Sequence, residues 1–262
     1  LRGFRFSFAK DFETHVGHVV ELFNALSYSE YQLSFEIVAN AKSIDFQFVG
    51  ASVDIQKVQQ HLMALFPSAI LDRINDVLDL PFSYDESNPV AIADMAPSEE
   101  FMRPLKQAQD FSIDPLTSVI TTLEHLREDE YVMIQVLFMG VKHPWRYDML
   151  HAVSNGRGGS FFTEDAEMLP CTKDKVSSPL FSCVIRIATQ SGFAERSEAL
   201  TYEIANHLSR ASESRYNKLV LLPNEGYEYN QHVTNLHLRK SNRWGFFLNS
   251  KELAQLAHYP NR

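Results

Sequence analysis

Two stretches of this sequence carry the same succession of periodic patterns, and that repetition restricts the fold more than any other feature. In the first stretch, Leu1 to Phe8 is apolar and aromatic enough for a strand. Phe12, Val16, Val19, Phe23 and Leu26 follow at a spacing that keeps one stripe on a helix. Leu33, Phe35, Ile37 and Ala39 alternate with polar neighbours, and so do Ile44, Phe46 and Phe48. These two runs read as a hairpin turning at Asn40-Ala41-Lys42. Asp54 is placed to cap a helix carrying Ile55, Val58, Leu62 and Leu65, and Pro67 ends it. Ala69 to Leu80 supplies a last strand. The order β-α-β-β-α-β makes residues 1–80 a ferredoxin-like unit.

Residues 81–104 hold four prolines and several carboxylates, and read as a connector. The pattern then recurs over 105–235. Gln107 to Ile113 reads as a short strand, and Asp114-Pro115 opens a helix with the stripe Leu116, Val119, Ile120, Leu123 and Leu126. Val132, Ile134, Val136 and Phe138 alternate as a strand, as do Phe181, Cys183, Ile185 and Ile187. A helix from Ser197 to Ala211 and a strand from Leu219 to Leu222 complete the unit. The copies differ by an insertion, residues 143–179, between the middle strands of the second. Residues 236–262 form a C-terminal strand and helix segment. The expected fold class is α+β, two tandem ferredoxin-like (βαββαβ) units with a long insertion in the second. Such units serve many purposes, so the fold alone selects none.

The 262 residues are 45% hydrophobic and 22% charged, which excludes disorder and fibres, and the formal net charge of -9 argues against a general nucleic-acid coat. The most apolar run, Val132 to Val141, contains Gln135 and falls short of the roughly 20 apolar residues of a spanning helix. Two cysteines cannot make a disulfide framework, and the alternation around Cys183 turns it toward a core. A cytoplasmic setting follows as the expectation. A first residue of Leu1 rather than Met suggests a processed or cut chain.

Motifs for chemistry are sparse. The sequence has no P-loop pattern, and the glycine-rich Asn155-Gly156-Arg157-Gly158-Gly159 lacks a phosphate-reaching lysine, so it reads as a flexible loop. No nucleophile elbow occurs. His15 and His18 sit three apart without a third ligand. His232 and His237 flank an expected loop and strand, and neither pair completes a metal site. Glu128-Asp129-Glu130 and the group Glu164, Asp165 and Glu167 read as solvated charge. No catalytic residue, metal ligand or cofactor is assigned. One basic cluster stands out, Arg239, Lys240, Arg243 and Trp244. Such residues can hold phosphate and stack on a base, or guard an exposed hairpin or strand edge.

The C-terminal stretch reads RWGFFLNSKELAQLAHYPNR. Asn249 or Ser250 can cap a helix over Lys251 to His258, with Leu248, Leu253 and Leu256 as its apolar contacts. This passage resembles the L-N-S-x-E-L-A-x-L-x-H-x-P segment of HerA/FtsK-superfamily ATPases, in the branch used by conjugative, type IV secretion-like DNA-transfer systems. The matching residues are Leu248, Asn249, Ser250, Glu252, Leu253, Ala254, Leu256, His258 and Pro260. Asp114 to Phe138 and Phe181 to Pro223 are similar to the same region of that family.

The resemblance implies an N-terminal, non-ATPase region joined by its last segment to a motor domain that is missing here. It further implies partnership with an ATPase motor domain or subunit, homo-oligomerisation in the full assembly, and a place in the cytoplasm or, through a partner, at the inner face of a membrane. The leading expectation is a non-catalytic assembly and partner-binding module of a DNA-translocating, type IV secretion-like or defence-associated ATPase. The alternative is a nucleic-acid-binding module using a sheet face and the basic cluster. A third reading is an enzyme, a nuclease or nucleotide-processing activity, with a site that no motif marks.

Overall fold

A computed structural model describes residues 1–75, 77–82, 90–108, 113–161 and 167–261. The first half runs β1 (Arg2–Ser7), α1 (Val16–Leu26), β2 (Leu33–Asn40), β3 (Ser43–Gly50), α2 (Ser52–Leu65) and β4 (Ile70–Arg73). Alternation turns Phe4, Phe6, Phe35, Ile37, Phe46 and Phe48 to one face of the sheet, where Val19, Leu22, Phe23 and Leu26 of α1 cover them. The β2–β3 turn is made by Asn40, whose Oδ1 accepts from the N–H groups of Lys42 at 2.8 Å and Ser43 at 3.2 Å. Asp54 is not the cap of α2, because Ala51 occupies that position. It lies in the first turn, fully buried, and its carboxylate accepts from the backbone N–H groups of Glu30 and Tyr31 at 3.1 and 2.8 Å. The helix is thereby fixed to the loop before β2.

The second half runs β5 (Val90–Pro97), α3 (Thr117–Glu124), β6 (Tyr131–Gly140), α4 (Trp145–Val153), α5 (Met168–Lys175), β7 (Leu180–Gln190), α6 (Ala194–Ser212) and β8 (Leu219–Leu221). After these come α7 (Tyr229–Leu238), β9 (Phe246–Asn249) and α8 (Ser250–Leu256).

Strand β5 lies inside the segment that its prolines marked as a connector. Pro97 is tolerated because it ends the strand, opposite Leu219. Ile92, Ala93, Asp94 and Met95 are all buried, so no alternation advertised the strand. The strand expected at Gln107 to Ile113 is not formed at Gln107 and Ala108, and residues 109–112 lie outside the described ones. The insertion holds α4 and α5, which pack on each other around Val153, Met168 and Leu169.

All nine strands belong to one antiparallel sheet in the order β4-β1-β3-β2-β6-β7-β5-β8, with β9 also on β7. The halves meet where β2 pairs β6 from Leu33↔Phe138 to Asn40↔Tyr131. Helices α1, α2, α3, α6 and α8 contribute to the large apolar layer on one face. On the other face, α7 packs Val233 and Leu236 against Val90, Ile92, Met133 and Ala188, with Phe82 beside them. Gly140 is needed where the end of α1 meets β6, since a Cβ there would stand 1.9 Å from the Ser27 carbonyl oxygen. Among the described residues no helix is long and apolar enough to cross a membrane.

Candidate functional site: a buried charge row and the cleft above it

The face beneath α7 carries a polar row cut across the sheet. Register places Arg5, Gln47, Glu36, Gln135, Arg186 and Asp94 side by side on β1, β3, β2, β6, β7 and β5. From Glu36 to Asp94 every side chain is wholly buried, and Gln47 on the other side of Glu36 is 5% exposed. Buried charges persist only when paired and hydrogen-bonded, so the row must be closed by partners from above.

The end of α7 supplies them. Arg239 holds a left-handed backbone, φ 54°, and sends its guanidinium down to Glu36. Its Nε and Nη2 donate to the two carboxylate oxygens at 2.9 and 3.1 Å, while Nη1 donates to the carbonyls of Val77 and His237. Ser34 Oγ, Gln47 Nε2 and Gln135 Nε2 complete the shell of Glu36 at 2.7, 2.7 and 3.1 Å. Gln135 also donates to the Leu236 carbonyl. Helix α7 is thus bolted over the seam between the halves.

Asp94 is the second centre. Arg186 Nε reaches its Oδ1 at 2.9 Å, and Arg243 Nε reaches Oδ2 at 2.8 Å. His232 Nε2 stands 3.4 Å from Oδ2. Burial alone would raise this carboxyl, but the His232 contact and the Arg186 and Arg243 guanidiniums outweigh it and hold the group at about 2. The Tyr227 ring stacks on His232 with centroids 4.1 Å apart, and the Arg243 guanidinium lies 5.3 Å from the Tyr227 centroid. Arg186 Nη1 donates to Gln135 and to the Lys240 carbonyl.

A cleft of about 670 Å³ opens above Asp94, walled by Tyr227, Arg243, Trp244 and Phe246. Its position follows from the sheet. Strand β5 pairs β7 only as far as Met95↔Ile185, and β9 takes up the same side of β7 from Cys183↔Phe246. The two strands part at Val184, and the cleft fills the fork. Gly245, at φ 75°, lets β9 enter there, since a Cβ would stand 2.6 Å from the Cys183 carbonyl oxygen.

The four residues of the basic cluster therefore have separate environments. Arg239 is buried on Glu36, Arg243 is bound to Asp94, Lys240 is exposed and Trp244 is 100% exposed. The cluster borders the α7–β9 turn and the cleft rather than a hairpin. His232 and His237 both lie within α7 rather than flanking a loop and a strand, and His237 bridges the carbonyls of Leu78 and Phe82. His15 and His18 form a ring pair 5.7 Å apart, and among the described residues no group of three His, Cys, Asp or Glu side chains is placed to hold a metal. Cys183 faces the core, and burial pushes its thiol well up. Glu164 and Asp165 lie outside the described residues.

The terminal segment is built into the core. Asn249 caps α8, accepting from the Glu252 N–H at 2.8 Å, while Glu252 accepts from the Asn249 N–H at 2.8 Å. The helix starts at Ser250 and ends at Leu256, two residues before His258. Glu252 also accepts from Leu105 N–H and pairs with Lys175 Nζ at 3.1 Å, both side chains being buried. Burial raises the Glu252 carboxyl in spite of Lys175. Leu248, Leu253 and Leu256 enter the main apolar layer. His258 lies between the Ala254 carbonyl and the Asp114 carboxylate, and Pro260 is buried. Thr14 Oγ1 donates to the Tyr259 carbonyl at 2.7 Å, so the same segment also holds the first half.

A family model described as "Domain of unknown function (DUF8128)" matches residues 14–157, just over half of the chain. No curated protein matches. Among solved structures, 6-hydroxy-D-nicotine oxidase from Arthrobacter nicotinovorans is similar at 12% identity and a TM-score of 0.38, over 92% of this chain and 52% of the oxidase. The chain thus spans about half the length of that protein.

Proposed function

Since the chain belongs to the DUF8128 family, whose description assigns no activity, we propose a function from its own residues: an assembly and partner-binding module of a DNA-translocating ATPase. We read the scaffold as two ferredoxin-like units. In support, the first half has the element order β-α-β-β-α-β, the second has the same order apart from α4 and α5 between its middle strands, and the strand orders β4-β1-β3-β2 and β8-β5-β7-β6 correspond position by position. The units are joined edge to edge through β2 and β6.

The observation that carries the functional reading is the use made of the terminal segment. The residues that resemble the HerA/FtsK-superfamily motif are not a slack linker. Asn249, Glu252 and His258 fasten that segment to α5, to the strand-free stretch at Leu105 and to Asp114, while Tyr259 and Asn261 fasten it to Thr14. A rigid attachment at this point suits a module that sets the geometry of a motor joined at the same place. On this reading the motor is a partner domain or subunit, the assembly is a homo-oligomer, and it works in the cytoplasm or against the inner face of a membrane.

The reading frame beyond Arg262 is the first test, with a nucleotide-binding motif expected downstream. The chain expressed with that downstream sequence is expected to form ATP-dependent rings by light scattering. A protein that stays monomeric with and without ATP, and whose gene encodes no such motif, would overturn the reading.

A further inference from the structure

We propose that the cleft above Asp94 binds a nucleotide, its phosphate on Arg243 and its base against Trp244. The inference is independent of the assembly reading and rests on the charge row. Three guanidiniums, Arg186, Arg239 and Arg243, face two buried carboxylates, Asp94 and Glu36. One positive charge is left over in a region of low polarity, where charge acts strongly. Arg186 Nη2 is buried without a hydrogen-bond partner among the described residues. Orphaned buried donors of this kind are rare, and this one lies in the network that holds Arg243 on the cleft wall, behind the cleft lining itself.

The rest of the cleft matches a flat ring joined to an anion. Arg243 is the cation of the network that reaches the surface, with its side chain 25% exposed. Trp244, beside it in sequence and on the same cleft wall, makes its whole ring available. A Trp face stacks on any base, and Arg meets phosphate with paired N–H groups. The volume of about 670 Å³ lies in the range of small-ligand sites. Two exposed carboxylates on the rim, Glu225 and Glu228, have no ion-pair partner among the described residues and oppose an anion. They stand in solvent, where salt screens them, while Arg243 is held on the cleft wall by Asp94. They also disfavour a long polyanion, so a mononucleotide is chosen over a nucleic-acid strand.

Titration calorimetry with AMP, inorganic phosphate and a short oligodeoxythymidine tests this on the whole chain. AMP should bind saturably and phosphate should compete for the same site more weakly. Trp244→Ala, which removes only an exposed ring, should weaken AMP at least tenfold and leave phosphate unchanged. Glu225→Gln with Glu228→Gln should tighten AMP several-fold. No saturable binding of AMP or phosphate at millimolar concentration would overturn the proposal. A clear preference for the oligonucleotide would also overturn it, in favour of a strand-binding surface.

Discussion

The two halves of the sheet share a strand order and differ in what they bury. Across the β2–β6 seam, Gln47 occupies the position matched by Arg186, and Arg5 the one matched by Asp94. In the first half the row ends at the surface, where Arg5 and Asp45 pair at 3.7 Å with side chains 55% and 32% exposed. In the second half the equivalent positions hold the buried Arg186–Asp94 pair. The apolar faces differ as well. The first half packs Phe4, Phe6, Phe35, Phe46 and Phe48 ring against ring, while the second packs Val132, Ile134, Val136, Ile185 and Ile187. Strand period and register set the topology, and they tolerate either filling. The buried carboxylate of the first half, Glu36, is closed off by Arg239, while that of the second, Asp94, borders the cleft.

The largest effect should expose that contrast. Asp94→Ala leaves Arg186 buried without its carboxylate, a kind of change that costs about 3–5 kcal/mol. Its counterpart Arg5→Ala removes an exposed pair worth less than about 1 kcal/mol. Urea denaturation of both variants measures the difference, and equal losses would abolish the distinction between the halves.

Acid should separate them next. Asp94 is held at about 2 against an ordinary 3.8, so its contribution is complete above pH 4 and disappears as pH falls toward 2. That contribution is about 2 kcal/mol. Asp114 and Glu130 are buried carboxylates too, and partners overcome burial and lower both, so they add in the same direction. Each of these three groups lies in the second half. Melting curves between pH 5 and pH 2 should fall steadily, and a profile flat down to pH 2 would contradict the charge row.

Particular residues show how far sequence carried this reading. The four central strands were legible because Phe35, Ile37, Phe46 and Phe48 alternate against one covered face, and Ile134, Val136, Ile185 and Ile187 do the same. Strand β5 was not, because Ile92, Ala93, Asp94 and Met95 are buried together and give no period. The terminal cap was legible at Asn249 and Glu252, three residues apart, since capping is local. The charge row was not. Glu36, Gln135, Arg186 and Asp94 are far apart in the chain, and only strand register makes them neighbours. The cluster at 239–244 drew notice for its charge, but pairing with Glu36 and Asp94 decides which of its cations remain available. Asp94 carried no signal beyond being an acidic residue in a proline-rich stretch.

Smaller effects test the join between the halves. Asn249→Ala removes the cap of α8 and the hydrogen bond from Nδ2 to the Lys175 carbonyl at 2.9 Å. The expected loss is about 1–2 kcal/mol by thermal or urea unfolding. A fall in cooperativity would show that α8 ties the halves into one unit, because the helix packs on α1 of the first half and α6 of the second.

The smallest effect is expected at Trp244, and its smallness is informative. The ring is 100% exposed, so Trp244→Ala removes little apolar area from the folded state and should change stability by no more than about 0.5 kcal/mol. Its neighbour Arg243 is tied to Asp94 and to the Pro223 carbonyl, so Arg243→Met should cost clearly more. A large, fully solvated indole beside a cation that the fold does use has no folding role to explain it. If Trp244→Ala proves as destabilising as Arg243→Met, the ring belongs to the scaffold. If it is neutral, the second half presents on its surface a residue that stability does not require, beside the only described fork in the sheet.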